Sequence, residues 1–163
     1  MFKDLLDRAH KLPDVLLHGD YGLQNFMYLP DRPGIQALGL LDFQDMTDAR
    51  GNMCGSPAFD LMFLLRDVRA HYAEEMIVKL TNRFIAGTNL NAKDMDQFEY
   101  ECAAITAAQS AKCLGLFARF GVVNNRPEYL PFIDNCWRNL RWAFAHPGLA
   151  DVKMWFENNG GIK

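Results

Sequence analysis

Apolar residues along this 163-residue chain change their period about a quarter of the way through. Over the first part they come in short runs broken by turn-forming residues, which predicts three extended pieces at 15–18, 25–29 and 37–43. Pro30, Asp31, Arg32, Pro33 and Gly34 separate the second from the third. That cluster disfavours helix and supplies turn chemistry, so the two pieces are expected to pair as a hairpin. An irregular stretch rich in Asp, Gly and Asn follows over 44–55.

Beyond it the period is helical. Ser56 and Pro57 mark a helix start, because a Ser side chain accepts from free amides and proline is preset for the first turn. Leu61, Leu64, Leu65 and Val68 then recur at helical spacing to about residue 69. A second helix is expected to carry Met76, Ile77, Leu80, Phe84 and Ile85 inward and to stop at Gly87. A third opens near Asn91, with Asp94 three residues on as a variant capping box, and ends at Gly121. Its middle, 102–111, is small and apolar on more than one face, which places it between other helices. A fourth, 128–145, aligns Ile133, Cys136, Trp137, Leu140 and Phe144 on one side and is ended by His146, Pro147 and Gly148. A short last helix over 149–156 leads to a glycine-containing tail expected to fray.

Composition narrows the class. Half of the residues are apolar and 23% are charged, which suits one domain over 1–163 with a real core, of α+β type and predominantly helical. The net charge is -3 and no basic block exceeds the isolated pairs around Arg138 and Arg141, so neither nucleic acid nor a membrane surface is expected as partner. Cys54, Cys102, Cys113 and Cys136 are widely spaced, without metal-site intervals, which fits a reducing cytoplasm. Residues 1–12 do not read as a signal peptide, and no run is long and apolar enough to span a bilayer. Trp137, Trp142 and Trp155 are assigned chiefly to the core, with sugar stacking as the lesser alternative. Lys112, Arg119, Arg138 and Arg141 are assigned to a solvated face, with an acidic substrate group as the alternative.

The sharpest chemical signal is His18-Gly19-Asp20-Tyr21-Gly22-Leu23-Gln24-Asn25, a loop between two extended pieces. Phosphoryl transfer to a hydroxyl needs a carboxylate beside the attacking oxygen and an oxygen ligand for Mg²⁺ nearby; the kinase catalytic loop supplies them as Asp and, five residues on, Asn. Asp20 and Asn25 hold that separation. Seventeen residues after Asn25, Asp42 stands at the exit of the apolar run 38–41, where packing explains an aspartate poorly and where kinases keep a metal-chelating Asp. His18 is read either as a core histidine bonded to backbone or as a support of the loop. Asp60 falls in the opening turn of its helix, where the dipole alone would favour it.

In this order the residues resemble the aminoglycoside phosphotransferase and choline kinase superfamily, whose pattern is H-G-D-x-x-x-x-N, a strand ending in D-F, then a helix carrying D-L. The resemblance implies Asp20 as catalytic base, Asn25 and Asp42 as Mg²⁺ ligands, and His18 and Asp60 as supports of the loop, with Asp45 a candidate for holding substrate or a second metal. A closer likeness covers most of the chain. Leu41-Asp42-Phe43-Gln44-Asp45, Phe59-Asp60-Leu61, Leu64-Leu65-Arg66-Asp67, Leu114-Gly115-Leu116-Phe117-Ala118-Arg119 and Ala145-His146-Pro147 are similar to bacterial cell-wall amino-sugar kinases of peptidoglycan recycling. Those enzymes phosphorylate the anomeric hydroxyl of N-acetylmuramate or N-acetylglucosamine.

The resemblance implies the C-terminal lobe of a protein-kinase-like fold, a small-molecule acceptor, and ATP or GTP as phosphate donor. The family's glycine-containing phosphate loop and strand lysine have no counterpart position here, so the N-terminal nucleotide-binding lobe is expected to be missing and the chain by itself inactive. The stretch between Asp42 and Asp60 reads several residues longer than in those kinases. A catalytically inactive binding module, a helical interaction domain with accidental motifs, and a kinase acting on an aminoglycoside, choline or homoserine stand as alternatives.

Overall fold

The computed structural model describes residues 2–9, 11–44, 46 and 54–159. A short helix α1 (Phe2–Arg8) leads into β1 (Val15–Leu16), then β2 (Phe26–Tyr28), β3 (Leu38–Leu40) and β4 (Cys54–Gly55). Helices follow: α2 (Ala58–Leu65), α3 (Glu74–Ala86), α4 (Met95–Ala118), α5 (Phe132–Ala143) and α6 (Ala150–Asn158). The described chain is therefore helix-rich, as expected, with two small sheets.

β2 and β3 pair antiparallel, Met27 opposite Gly39, so the expected hairpin forms, with a 3₁₀ turn over Gly34–Ala37. Gly34 takes a φ of +56° at the start of that turn, a conformation that suits glycine. The first extended piece finds a partner that its own pattern did not announce. β1 pairs antiparallel with β4, Val15 opposite Gly55, across a long sequence separation. Helix α1 was likewise not foreseen, and it is held by packing Leu5 and Ala9 against α4 and α5.

α4 is the axis of the molecule. Cys102, Ala103, Ala104, Ile105, Thr106, Ala107 and Ser110 are all buried, because helices pack on it from several sides. On one side lie Leu5 of α1 and Ala9 just after it, Leu140 and Ala143 of α5 and Val152 and Phe156 of α6. On another lie Ala58, Leu61, Met62 and Leu65 of α2, with Ile77 of α3. Toward its C-terminal end, Phe117 packs with Val68 and Cys136. The small side chains at 103, 104 and 107 let neighbouring backbones approach closely, which is why this stretch is helical yet shows no single apolar stripe.

Both ends of α4 are built from local chemistry. The Asp94 carboxylate accepts from the N–H of Asn91 at 2.9 Å and from its side-chain amide at 2.6 Å, the bond expected of the capping-box variant, although it closes a turn at 91–94 and the helix itself opens at Met95 and not near Asn91. The helix does not stop at Gly121 but widens into a π-helical turn over Arg119–Val123. Gly121 is buried against Leu130, and a Cβ there would overlap that side chain.

Some expectations fail. α2 ends at Leu65, not near residue 69, because the Asp67 carboxylate captures the N–H of Arg69 at 2.9 Å and offers the backbone a turn instead. In α3, Ile77 is buried and Phe84 and Ile85 half-buried, but Met76 and Leu80 are exposed, since the helix packs along one edge only. The fourth helix begins at Phe132 after a 3₁₀ turn over Pro127–Tyr129. Trp142 and Trp155 lie at the surface; the Trp142 ring carries the Arg66 guanidinium 4.0 Å from its centroid. Among the described residues no helix is long and apolar enough to cross a membrane. The expected fraying of the tail falls on 160–163, outside the described residues.

Glu101 of α4 is fully buried, and its carboxylate is the junction between layers. Oε1 accepts from the N–H of Lys11 at 3.1 Å, the N–H of Leu12 at 3.2 Å and Gln97 Nε2 at 2.8 Å. Oε2 accepts from Ser56 Oγ, which in turn accepts from the N–H of Ala58 at 3.1 Å. One side chain thus ties α4 to the segment that enters β1 and to the residue that opens α2. Glu101→Ala leaves these donors without an acceptor and is expected to cost about 3 kcal/mol, a fall in melting temperature of roughly 10 °C by circular dichroism.

Candidate active site

The loop between β1 and β2 is shaped from both sides. The Asp60 carboxylate, in the first turn of α2, accepts from the N–H of His18 at 2.6 Å and of Gly19 at 3.0 Å. Two consecutive amides can face one carboxylate because Gly19 adopts a φ of +86°, open to glycine at little cost. Charge-assisted bonds of this kind contribute about 1.5–3 kcal/mol each. Next in the chain comes Asp20, exposed at the tip of the loop.

Asn25 closes the loop. Its Nδ2 donates to the Asp20 carbonyl at 2.7 Å and to Asp20 Oδ2 at 3.1 Å. The five-residue spacing places the carboxamide directly against the carboxylate. Because the amide nitrogen is committed to Asp20, Oδ1 is turned the other way. Gln24 adds longer contacts of 3.3 Å to both oxygens of Asp20. Backbone bonds within the loop, Gly22 N–H to Asp20 O at 2.8 Å and Asn25 N–H to Gly22 O at 2.9 Å, complete the turn.

The buried His18 ring joins this loop to the end of β3: Nε2 donates to the Leu41 carbonyl at 2.9 Å, which fixes the tautomer. The Leu41 N–H in turn donates to the Asn25 carbonyl at 2.8 Å. Both readings of His18 therefore meet in one residue, a core histidine on backbone whose bond also positions the loop. Tyr21, which the motif leaves unassigned, packs edge-on to His18 and Phe26 at 5.7 and 4.9 Å between centroids. Burial, and then the charge of Asp60, push its phenol above the usual range.

Asp42 follows Leu41 directly, is exposed, and adopts a φ of +55°. Asp, like Asn, is among the non-glycine residues that adopt this left-handed conformation most readily, and its use here turns the chain sharply out of β3. The structure thus brings Asp20 and Asn25 into contact, and Asp42 follows directly on Leu41, whose backbone bonds both Asn25 and His18. Among the described residues no hydrogen bond joins the Asp42 side chain to either, and no three His, Cys, Asp or Glu side chains gather as a cation site. Asp45 lies outside the described residues.

The Asp42 carboxylate and the Asn25 carboxamide oxygen are hard ligands of the kind that suit magnesium, which takes one or two protein carboxylates with its remaining positions filled by phosphate and water. A cavity of about 680 Å³ adjoins the other side of the loop, lined in part by His18, Tyr21 and Asp60.

Arg69 and Glu101 carried no motif signal. The Arg69 guanidinium is held by Asp67, and that hydrogen bond, with a smaller effect of the charge of Asp20, raises its pKa. The only sequence hint was the Arg66-Asp67 string, whose meaning depends on the turn that ends α2.

Comparison with known proteins finds relatives along most of the chain. The chain is 35% identical over 143 residues to the N-acetylmuramate/N-acetylglucosamine kinase of Caulobacter vibrioides, covering 88% of this chain and 37% of that protein. It is 29% identical over 134 residues to the protein of the same name from Neisseria meningitidis serogroup B, covering 79% and 36%. With that of Pseudomonas aeruginosa it shares 29% over 156 residues, covering 91% and 43%. The chain thus spans about two fifths of the length of the curated relatives it matches. The sequence pattern of the ecdysteroid kinase-like family matches residues 2–87, which include the loop, the strand exit and the opening of α2. The chain belongs to the ecdysteroid kinase-like family.

Proposed function

We propose that residues 1–163 form the C-terminal lobe of a small-molecule kinase that transfers the γ-phosphate of ATP or GTP to a hydroxyl of an amino sugar. The acceptor in this reading is N-acetylmuramate or N-acetylglucosamine at its anomeric position, handled in the cytoplasm. The observation that carries it is the Asp20–Asn25 pair at the tip of a loop whose backbone is gripped by Asp60. Names of relatives along most of the chain support the acceptor.

Asp20 is the catalytic base in this reading. It accepts the proton of the acceptor hydroxyl as that oxygen forms its bond to the γ-phosphorus and the bond to the leaving nucleotide diphosphate breaks. The Asn25 amide, donating to Oδ2, holds the carboxylate in one rotamer so that its other oxygen faces the hydroxyl. Asn25 Oδ1 and Asp42 would hold Mg²⁺, which when bound neutralises charge on the phosphates. His18 and Asp60 fix where these groups sit and do not touch substrate. Adenine and phosphate anchoring belong to an N-terminal lobe acting with this one, so 1–163 alone are expected to show negligible turnover in a coupled phosphotransfer assay.

In the full-length protein, Asp20→Asn is expected to lower kcat by about 10³-fold with the melting temperature unchanged, since the side chain is exposed. Ordinary turnover by that variant on either sugar would overturn the assignment of the base. Asp60→Asn offers one acceptor oxygen to two amides and is expected to cost about 2 kcal/mol of stability along with kcat, read by thermal melting beside the assay. Asp42→Asn is expected to raise the Mg²⁺ concentration giving half-maximal rate about tenfold; an unchanged Mg²⁺ dependence would remove Asp42 from the ligand set.

A further inference from the structure

Arg66, the residue just after α2, is a buried cation whose counterion is not buried. Its side chain is 2% exposed, whereas that of Glu74, in the first turn of α3, is 58% exposed. Nη1 donates to Oε1 at 2.6 Å and Nη2 to Oε2 at 2.9 Å, a bidentate pair. The Arg66 backbone is held on both sides: its N–H donates to the Met62 carbonyl at 2.9 Å, and its carbonyl accepts from the buried Asn139 Nδ2 at 2.7 Å. With the Trp142 ring centroid 4.0 Å away, the guanidinium is fixed while its partner is free to leave. Nε, also buried, has no hydrogen-bond partner among the described residues, an unmet donor that an added acceptor would satisfy.

The pair lines a cavity of about 550 Å³ between α3 and the layer of α4 and α5. This space exists because α3 packs along one edge only, burying Ile77 while Met76, Val78 and Leu80 stay exposed. Ile77, Ile85, Met95 and Phe98 give the cavity an apolar wall. Glu99 is a second carboxylate on the lining, but it is exposed and solvated, which leaves Arg66 as the buried charge. His18, Asp20, Asn25, Asp42 and Asp60 are not part of this lining, and the cavity is separate from the one beside the catalytic loop. An apolar wall ending in one fixed, bidentate cation suits an amphiphilic anion.

We propose that this cavity is a binding site for a small apolar carboxylate, whose head takes the place of Glu74 on Arg66 and whose tail lies along Ile77, Ile85 and Phe98. The exchange keeps the buried guanidinium paired throughout, which a departure of Glu74 alone would not. Glu74 loses little by moving into water, since more than half of its side chain is already there. The tail, in contrast, gains by leaving water. Glu74 is in this reading an internal competitor that covers Arg66 until a ligand arrives.

Isothermal titration calorimetry of the full-length protein, without nucleotide or sugar, tests this with octanoate, octanol and octylamine, which share a tail and differ in charge. Octanoate is expected to bind about tenfold more tightly than octanol, and octylamine more weakly than either. Glu74→Gln, at an exposed position, is expected to tighten octanoate roughly tenfold and to leave octanol unchanged, because the competing charge is gone. Arg66→Gln is expected to erase the preference for octanoate. Circular dichroism reports whether that variant folds; where it does not, Glu74→Gln decides alone. Equal binding of octanoate and octanol, a preference for octylamine, no binding of octanoate, or a Glu74→Gln protein that binds it no better than wild type would each overturn the proposal. The kinase reading stands or falls separately, on turnover.

Discussion

A single carboxylate gripping two consecutive amides is the constraint on which the site depends. Asp60 reaches from the first turn of α2 to the N–H groups of His18 and Gly19, and the residue after Gly19 is Asp20. The loop therefore takes its position from a helix and not from its own two-residue strand. A loop that short would otherwise have little to define it, since β1 pairs with only two residues of β4. The helix supplies stiffness, and the left-handed Gly19 supplies the angle.

The same device recurs one layer deeper. Glu101 collects backbone and side-chain donors from the segment before β1 and from Ser56 at the entry to α2, so both approaches to the site are referred to α4. α4 is itself held on several sides by small-residue packing, and its buried face leaves little freedom for rotation. Positioning passes from the most buried helix to the most exposed functional residue through two carboxylates. Glu101 is buried and Asp60 half-buried, and each is matched by two or more donors.

Exposure is distributed in keeping with this division. Asp20 and Asp42, the groups suited to meet ligands, face solvent, whereas His18 and Asn25 behind them are buried and bonded. Arg69 repeats the pattern beyond the end of α2, an open guanidinium held by a buried carboxylate. Rigid inner partners and free outer ones are what electrostatic chemistry on a mobile substrate requires.

Much of this was legible from residue order alone. The hairpin followed from its Pro-Asp-Arg-Pro-Gly interruption, α4 from its long small-residue run, and the contact of Asp20 with Asn25 from a five-residue spacing that a tight loop can close. These are local properties, written in neighbours along the chain. What folding alone decided lies outside that pattern: the pairing of β1 with β4, the role of Glu101 as a junction, and the early end of α2 at Leu65. Each depends on which surfaces meet across forty or more positions, or on an Asp67 side chain outcompeting the helix for a backbone amide. Periodicity carries no record of such contests, because their outcome is set by burial, and burial exists only once the helices have packed.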